Sequence, residues 1–337
     1  MDLRLTSEQQ QMVASFSALY GRLATPEVVR AAEPGGHDAQ LWAALIEVGA
    51  VAMAVGESAG GGGASMLDLA LVAELHGRWV APAPLVDAQV AARLLARLGP
   101  AAAAPLERAL AGDQLIGFAP RVSAGTTLRL VPSGAVADHV VARHDDRIVL
   151  VAGHGRPVDN LGALPLADLT TGDAFVLAEG APAVAAWEAA IDDWLLLTAA
   201  CLVGVAARSL ELGVAYAKER VAFGVPIGTF QAVAHPLADL ATAIDGVRLL
   251  THLAAWSGDE EPALAAERGA LAYAMAYETA RDATTRSLHV HGGYGFIMEH
   301  DIQLFFRRAR AWALTFGPAN AGLDRAADRR YGAVSAG

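Results

Sequence analysis

Residues 220–231 read RVAFGVPIGTFQ, and residues 289–301 read HVHGGYGFIMEHD. Each stretch is a glycine-rich link between two long apolar patterns. Glycine lets a backbone approach a ligand closely, and helix N-termini offer free N–H groups to an anion. Arg220, at the entrance of the first link, is suited to bind a phosphate through two parallel hydrogen bonds. The same patterns also fit plain helix–helix turns with glycine caps, so the links alone leave both interpretations open.

Long helical patterns flank both links. Apolar residues recur at spacings of three and four after Gln231, which predicts an amphipathic helix with one apolar face: Val233, Leu237, Leu240, Ile244, Val247, Leu250 and Leu253. Three further helices are predicted at about 185–220, 261–289 and 301–316. Four long helices joined by short loops predict an antiparallel bundle over residues 184–337.

The rest of the chain divides into a helical part and a part rich in short strands. Thr6 and Gln9 form a capping box before the first helical pattern, and residues 1–114 are predicted to be an α-helical domain. Strand patterns at 115–118, 127–131, 136–142 and 148–152, broken by Gly, Pro and Asp, predict a small β domain at 115–183. The fold class is therefore mainly α with a small middle β domain.

Composition limits the class of partner. The chain has 337 residues, of which 54% are hydrophobic and 18% charged, so it can bury a large core. Its formal net charge of −11 argues against nucleic acid as a partner. A single cysteine, Cys201, fits a reducing compartment. Without a signal-peptide pattern or a long uncharged apolar run, we expect a cytoplasmic protein with no membrane span and no metal site.

These residues resemble the acyl-CoA dehydrogenase family. The two links closely match its signatures R-x-x-F-G-x-P-I-G-x-F-Q and Q-x-x-G-G-x-G-F-x-x-E, with His289 in place of the initial Gln. The stretches LTSEQQ at 5–10 and ESAGGGG at 57–63 are family-like as well. The resemblance covers essentially the whole chain. It implies an N-terminal helical domain, a middle β domain and a C-terminal four-helix bundle.

The resemblance also implies a cofactor and a reaction. Members bind FAD and remove two hydrogens from the α and β carbons of an acyl-CoA thioester. The bundle loops of one subunit contact the FAD of its neighbour. By this resemblance, the residues expected to contact FAD are Arg220, Phe223, Gln231, His289, Gly292 and Gly293.

The family's catalytic carboxylate is missing from both of its usual positions. One position lies nine residues beyond Arg307, where this chain has Phe316. The alternative position, on the first bundle helix, is occupied by Trp194. Neither side chain can accept a proton, so no catalytic residue is assigned. If Trp194 faces the acyl pocket, the adjacent Asp193 does not, because successive helical residues point about 100° apart. Asp193 is therefore interpreted as a solvated or capping acid, with a role as the base as the less favoured alternative.

The β domain departs from the family as well. Members hold the flavin ring with T-E-P-x-x-G-S-D and W-x-T segments. Here residues 116–126 read IGFAPRVSAGT, and no W-x-T occurs. The half of the flavin site that holds the ring therefore looks degraded, whereas the half offered to a neighbour looks intact.

Three hypotheses follow. The first is a subunit of an FAD-dependent acyl-CoA dehydrogenase that lacks the base and completes the FAD site of a longer homologous partner. The expected assembly is an α2β2 heterotetramer that oxidises a bulky, steroid-type acyl-CoA and passes electrons to an electron-transfer acceptor. The second is a self-sufficient homo-oligomeric acyl-CoA dehydrogenase with an atypical base. The third is a flavin-free acyl-CoA-binding or scaffold protein.

Overall fold

The structure is a computed structural model that describes residues 4–123 and 125–332, apart from the side chain at position 319. The helices are α1 (Ser7–Leu23), α2 (Pro26–Ala31), α3 (Ala39–Glu47), α4 (Met66–Arg78), α5 (Leu85–Leu98), α6 (Ala103–Ala111), α7 (Gly180–Glu219), α8 (Gln231–Glu260), α9 (Pro262–Val290), α10 (Ile302–Leu314) and α11 (Ala319–Tyr331). The strands are β1 (Ile116–Phe118), β2 (Thr127–Val131), β3 (His139–His144), β4 (Arg147–Ala152), β5 (Arg156–Pro157), β6 (Ala167–Thr170), β7 (Phe175–Glu179), β8 (Val221–Ala222) and β9 (Val225–Pro226).

The chain forms two compact units. One contains Met1–Arg22, Ala70–Ala81 and Thr198–Gly337, and the other contains Leu23–Leu69 and Pro82–Leu197. The division passes through α4 and α7, so the predicted boundaries at 1–114, 115–183 and 184–337 stay a prediction. The fold class itself, mainly α with a small β domain between helical parts, is confirmed.

Helix α9 is the central helix of the first unit. It packs against α8, α10 and α11. The predicted helices after residue 184 are all present, and α11 is an additional helix that the sequence did not predict. The capping box at the start of α1 is confirmed, because the Gln9 N–H donates to the Thr6 hydroxyl oxygen at 3.2 Å and the Thr6 N–H donates to the Gln9 side chain at 3.1 Å.

Two glycines let α4 and the second half of α7 pack backbone against backbone. A Cβ at Gly77 would lie 1.8 Å from the carbonyl oxygen of Cys201, and a Cβ at Gly204 would lie 1.9 Å from that of Glu74. Both distances are far below van der Waals contact. The close crossing of these helices therefore requires glycine at both positions.

The β strands of the second unit form two small sheets, ordered β1-β3-β4-β7 and β2-β6-β5. The predicted hairpin between β3 and β4 is present, and Asp145 at its turn has φ +53°. Their inward side chains form one apolar core that includes Leu128, Val140, Val149 and Leu169. Strands β5, β6 and β7 were not predicted.

By length and composition, α7 is apolar enough to cross a membrane, but 72% of its most apolar 18-residue window is buried inside the protein. It is the one such helix among the described residues. Burial of this kind is typical of a helix in a protein core.

Candidate functional site

The first link folds as a tight hairpin that holds Phe223 in solvent. Strands β8 and β9 pair antiparallel across Phe223 and Gly224, whose φ angles are +54° and +84°. Positive φ at both central residues is the signature of a type I′ turn. A phenylalanine in this conformation costs on the order of 1–3 kcal/mol, and such strain is concentrated at functional sites. Phe223 is 98% exposed, so burial of its ring against the described residues does not offset that cost.

Arg220 lies directly between the end of α7 and this hairpin. Its N–H donates to the Tyr216 carbonyl at 2.9 Å, and its own carbonyl accepts from the Ile227 N–H at 2.8 Å. The backbone is thus fixed on both sides, while the side chain is exposed. Within the described part of the chain, its guanidinium has no ion-pair partner. Gln231, the first residue of α8, is exposed as well.

The second link begins where α9 ends. Gly292 has φ +59°, and a short 3₁₀ helix follows from Gly292 to Phe296. Gly292 and Gly293 are exposed, and a Cβ added to either would meet no atom within 4 Å. By contrast, a Cβ at Gly295 would lie 2.7 Å from the Leu288 carbonyl oxygen. Contacts within the chain therefore explain why position 295 is a glycine. They do not explain the glycine at position 293, Gly293, whose surface is open to another molecule.

Tyr216 joins the two links. Its carbonyl accepts the Arg220 N–H, and its ring stacks on His291 with centroids 4.4 Å apart. His300 meets the His291 ring edge-on at 4.8 Å. The Nδ1 atom of His291 lies 2.7 Å from the Ser287 carbonyl oxygen. Burial lowers the pKa of His291, which keeps this ring neutral at physiological pH.

A cavity of about 610 Å³ lies between the start of α8 and the end of α9. It brings Ile227 of the first link together with His289 of the second. Its lining residues are Ile227, Ala232, Val233, Pro236, Leu237, Asp282, Thr285, Arg286, His289 and Val290. Arg220, Phe223 and Gln231 are not among them. The cavity combines apolar walls with one arginine, Arg286, and one carboxylate, Asp282. Sequence reasoning missed Arg286, although it lies one helical turn before His289.

Both links also expose large apolar side chains. Phe223 is joined by Val221 at 56% and Phe230 at 38% exposure, and the second link exposes Phe296 at 66% and Met298 at 57%. Single exposed apolar residues are common, but clusters of them mark interaction sites. The two links therefore combine an available cation with an apolar surface.

The two family base positions hold side chains with structural partners. Trp194 is 3% exposed, and its Nε1–H donates to Oδ1 of Asp87 on α5 at 3.0 Å. Phe316 is half-buried, in the turn after α10. These two aromatic residues belong to different compact units.

The interpretation of Asp193 as a solvated or capping acid is wrong. Asp193 is 8% exposed. Its Oδ2 accepts from Arg93 at 2.9 Å and from Arg97 at 2.5 Å. Two cations on one carboxylate oxygen hold it as a structural ion pair between α5 and α7, so Asp193 is not available as a base.

The segment that replaces the family's flavin-ring motif borders a smaller cavity in the β domain. This cavity has a volume of about 260 Å³ and is lined by residues 119–123 and 127–132, including Arg121 and Arg129. Strand β2 is irregular here, and Leu130 has φ +53°. Among the described residues no group of three or more His, Cys, Asp and Glu side chains is placed to hold a metal ion.

Two family models match the chain. The acyl-CoA dehydrogenase N-terminal domain matches residues 6–104, and the acyl-CoA dehydrogenase C-terminal domain matches residues 191–330. Acyl-CoA dehydrogenase IpdE2 of Mycolicibacterium smegmatis is 33% identical over 335 residues, which cover 95% of this chain and 98% of that protein. The IpdE2 of Mycobacterium tuberculosis is 34% identical over 91% of this chain and 92% of its own length.

Solved structures share the fold. A chain of the ChsE4–ChsE5 complex from Mycobacterium tuberculosis superposes with a TM-score of 0.84 at 27% identity, covering 99% of this chain and all of that chain. A variant of the Tcur3481–Tcur3483 steroid ACAD gives a TM-score of 0.84 at 28% identity, covering 96% and 97%. The chain thus matches a relative over nearly its full length, both family domains and the fold. It belongs to the acyl-CoA dehydrogenase family.

Proposed function

We propose that this chain is one subunit of a heteromeric FAD-dependent acyl-CoA dehydrogenase and that it completes the FAD site of a longer homologous partner. The observation that carries this proposal is the joined pair of links. Tyr216 fixes both to one helix, and together they present an unpaired Arg220 and an exposed Phe223 to the outside.

The residues present fit a dinucleotide. Arg220 supplies a free guanidinium for a pyrophosphate, and such charge-assisted hydrogen bonds are among the strongest in proteins. The cavity beside the links supplies apolar walls for an adenine and four polar side chains, Asp282, Thr285, Arg286 and His289. In this proposal Gln231 and the backbone of Gly292 and Gly293 complete the contacts. When bound, FAD accepts the hydride that leaves the β carbon of the acyl group.

The chain's own residues bind and orient in this proposal rather than react. Trp194 and Phe316 stand where the family has its carboxylate, so the usual base belongs to the partner. The altered segment at 116–126 is the reason for assigning the flavin-ring contacts to the partner as well. Arg220 neutralises phosphate charge, and the exposed apolar residues of the links exclude water from the interface.

The partner and the substrate class are supported by the relatives. One similar solved structure is a complex of two named chains, and another is described as a steroid ACAD. We therefore propose an α2β2 heterotetramer that acts on a bulky, steroid-type acyl-CoA and delivers electrons to a separate electron-transfer acceptor. We further propose that the assembly works in lipid or steroid catabolism in the cytoplasm, where its single cysteine would stay reduced.

The experiment is to purify the chain alone and after co-expression with a longer homologue from the same genome. We expect the lone chain to be inactive and largely free of flavin, and the complex to hold one FAD per heterodimer and to oxidise acyl-CoA with an artificial acceptor. Stoichiometric FAD and steady turnover from the lone chain would instead establish the self-sufficient enzyme. A stable complex that binds acyl-CoA but no flavin would establish the scaffold.

A further inference from the structure

The ends of α7 and α9 meet through two contacts about one helical turn apart. A Cβ at Gly213 would lie 2.8 Å from Oγ of Ser287, and the ring of Tyr216 stacks on that of His291 with centroids 4.4 Å apart. The loop at 292–299, which carries both open glycines of the second link, follows His291 directly. The position of this loop beside the first link therefore depends on the Tyr216 stack.

His291 and His300 close this loop. They stand at its two ends, and their rings meet edge-on with centroids 4.8 Å apart. The ring of His300 also meets that of Tyr216 edge-on, at 6.4 Å. One cluster of three rings thus joins both ends of the loop to the end of α7.

The contacts of both histidines favour their neutral forms. Nδ1 of His291 lies 2.7 Å from the carbonyl oxygen of Ser287, and because a carbonyl can only accept, this contact assigns the ring hydrogen to Nδ1. Nδ1 of His300 is buried without a hydrogen-bond partner in the described part of the chain. A proton added at that atom would therefore create a buried N–H group that has no acceptor.

Protonation of the cluster also has an electrostatic cost. His291 is 3% exposed, so a charge on its ring would lose most of its contact with water. Burial lowers the pKa of His291, the hydrogen bond to Ser287 raises it, and a charge on His300 lowers it further. No carboxylate of the described residues adds to the effect of Ser287.

The other charged residues on the elements that meet at the cluster are exposed or have contacts of their own. They are Lys218, Glu219 and Arg220 at the end of α7, Arg286 and His289 on the last turns of α9, Glu299 and Asp301 in the second link, and Arg307 and Arg308 on α10. His300 is therefore the neighbour whose titration matters to His291.

We propose that His291 and His300 form a proton switch for the FAD site: the neutral pair holds the loop closed against Tyr216, and protonation opens the loop and releases FAD at mildly acid pH. Charged imidazole rings repel each other and gain hydration when they separate. As they leave the cluster, they carry the backbone of Gly292 and Gly293 away from the first link. Both histidines are positioning residues, because they act on FAD through the loop between them.

The switch rests on the proposed function, since FAD is the ligand that it releases, but the loop itself can be observed without flavin. The bound form is neutral and the released form is protonated, so FAD affinity falls as pH falls. For one histidine with the usual pKa of about 6.5 after release, a change from pH 7.5 to pH 6.0 weakens binding by up to about fourfold.

The first measurement uses the full chain alone, labelled with carbon-13 at the Cε1 atoms of its histidines, and follows their NMR signals from pH 7.5 to pH 6.0. The ring current of Tyr216 displaces the His291 signal, and the difference from Tyr216→Leu gives that displacement. We expect the displacement to shrink as pH falls. In His300→Phe, which keeps a ring but cannot be protonated there, it should persist to lower pH. A wild-type displacement that is the same at both pH values would overturn the switch.

The second measurement titrates the co-expressed complex with FAD at the same two pH values. We expect the wild-type Kd to rise by up to about fourfold at pH 6.0, and the rise in His300→Phe to be less than half as large. His154→Asn is the matched control, because it replaces an exposed histidine of the other compact unit, and it should behave as wild type.

Equal wild-type affinities at the two pH values, or the same rise in His300→Phe as in wild type, would overturn the switch while the proposed function stands. A complex that holds no FAD at pH 7.5 would overturn the proposed function and, with it, the release of FAD, even if the NMR signals show that the loop opens.

Discussion

The ring of Tyr273 meets the ring of Phe316 edge-on, with centroids 6.0 Å apart, and the Tyr273 hydroxyl donates to the carbonyl of Ala313 at 2.7 Å. Tyr273 thus contacts both the end of α10 and Phe316, the residue at the family's second base position. Edge-to-face pairs of this kind are worth about 0.5–1.5 kcal/mol beyond the area that they bury. Phe316 therefore has a packing role in the place where relatives have a reactive group.

Phe316→Leu should accordingly affect stability and not chemistry. We expect a loss of about 1–2 kcal/mol in the free energy of unfolding, because an aromatic pair is lost while most apolar volume remains. Turnover of the assembled enzyme should stay within a few-fold of wild type. Denaturant titration and a steady-state assay measure the two quantities, and a thousandfold loss of turnover would show that Phe316 touches the reacting atoms.

Arg220→Ala should weaken FAD binding by about tenfold to a hundredfold in the assembled complex. The expected loss follows from charge-assisted hydrogen bonds to phosphate, which contribute roughly 1.5–3 kcal/mol. Fluorescence titration of the apo complex with FAD gives the affinity. Arg156→Ala, which removes an exposed arginine from β5, is the matched control. Equal FAD affinities for both variants would contradict the assignment of Arg220.

Asp87→Asn should stabilise the fold at neutral pH. Burial raises the pKa of Asp87 to about 7, above its ordinary value of 3.8. As pH rises above 4 the unfolded chain loses this proton first, so the native state binds more protons and wild-type stability falls until about pH 7. The variant lacks that dependence, so its advantage should grow from pH 4 to pH 7, up to about 4 kcal/mol. Urea unfolding at pH 4.5 and 7.5 checks the sign, and an advantage that shrinks with pH would contradict it.

Asp193→Asn should destabilise the chain by about 1.5–3 kcal/mol, because Arg93 and Arg97 lose the charge on which both converge. Asp245→Asn is the control, since Asp245 pairs with Arg248 three residues away on the same helix and its side chain is 74% exposed. Exposed pairs of that type are worth less than about 1 kcal/mol. Similar losses for both variants in denaturant unfolding would show that burial does not strengthen the Asp193 pairs.

Gly204→Ala should prevent α4 and α7 from crossing as closely as they do, because the new methyl group would overlap the Glu74 carbonyl. We expect a loss of about 3 kcal/mol, the upper end of the usual range for overpacking, because the clash is with backbone. Gly246→Ala provides the opposite control. Gly246 lies inside α8 with nothing within 4 Å of an added Cβ, so alanine should stabilise the helix by about 0.5–1 kcal/mol. Thermal unfolding of the two variants should therefore shift in opposite directions.

Helices and helix ends that are encoded by nearby residues could be predicted from the sequence. The apolar spacing from Val233 to Leu253 produced α8, and the Thr6 and Gln9 pair produced the start of α1. The strands β5, β6 and β7 were missed because short runs interrupted by Gly, Pro and Asp carry little periodicity. Helix α11 was missed because its sequence has few large apolar residues from which a helical spacing could be recognised.

The candidate site divides in the same way. Arg220 and the residues around both links could be named because they stand in contiguous motifs. The hydrogen bond from Trp194 to Asp87 could not be predicted, because it joins residues 107 positions apart. Asp193 was misinterpreted for the same reason. Its ion-pair partners lie on α5, far away in the sequence, and no spacing of residues predicts them. Pairings that arise only when distant helices pack are invisible to periodicity.

The exposed Phe223 has a consequence for the life of the chain in a cell. A newly made chain displays this ring together with Phe296 and Met298, and chaperones and proteases recognise apolar surface of this kind. How long an unassembled copy survives then depends on how soon a second molecule covers it. In the heteromeric enzyme that we propose, supply of the partner subunit, more than the rate of synthesis of this chain, would set how much of it accumulates.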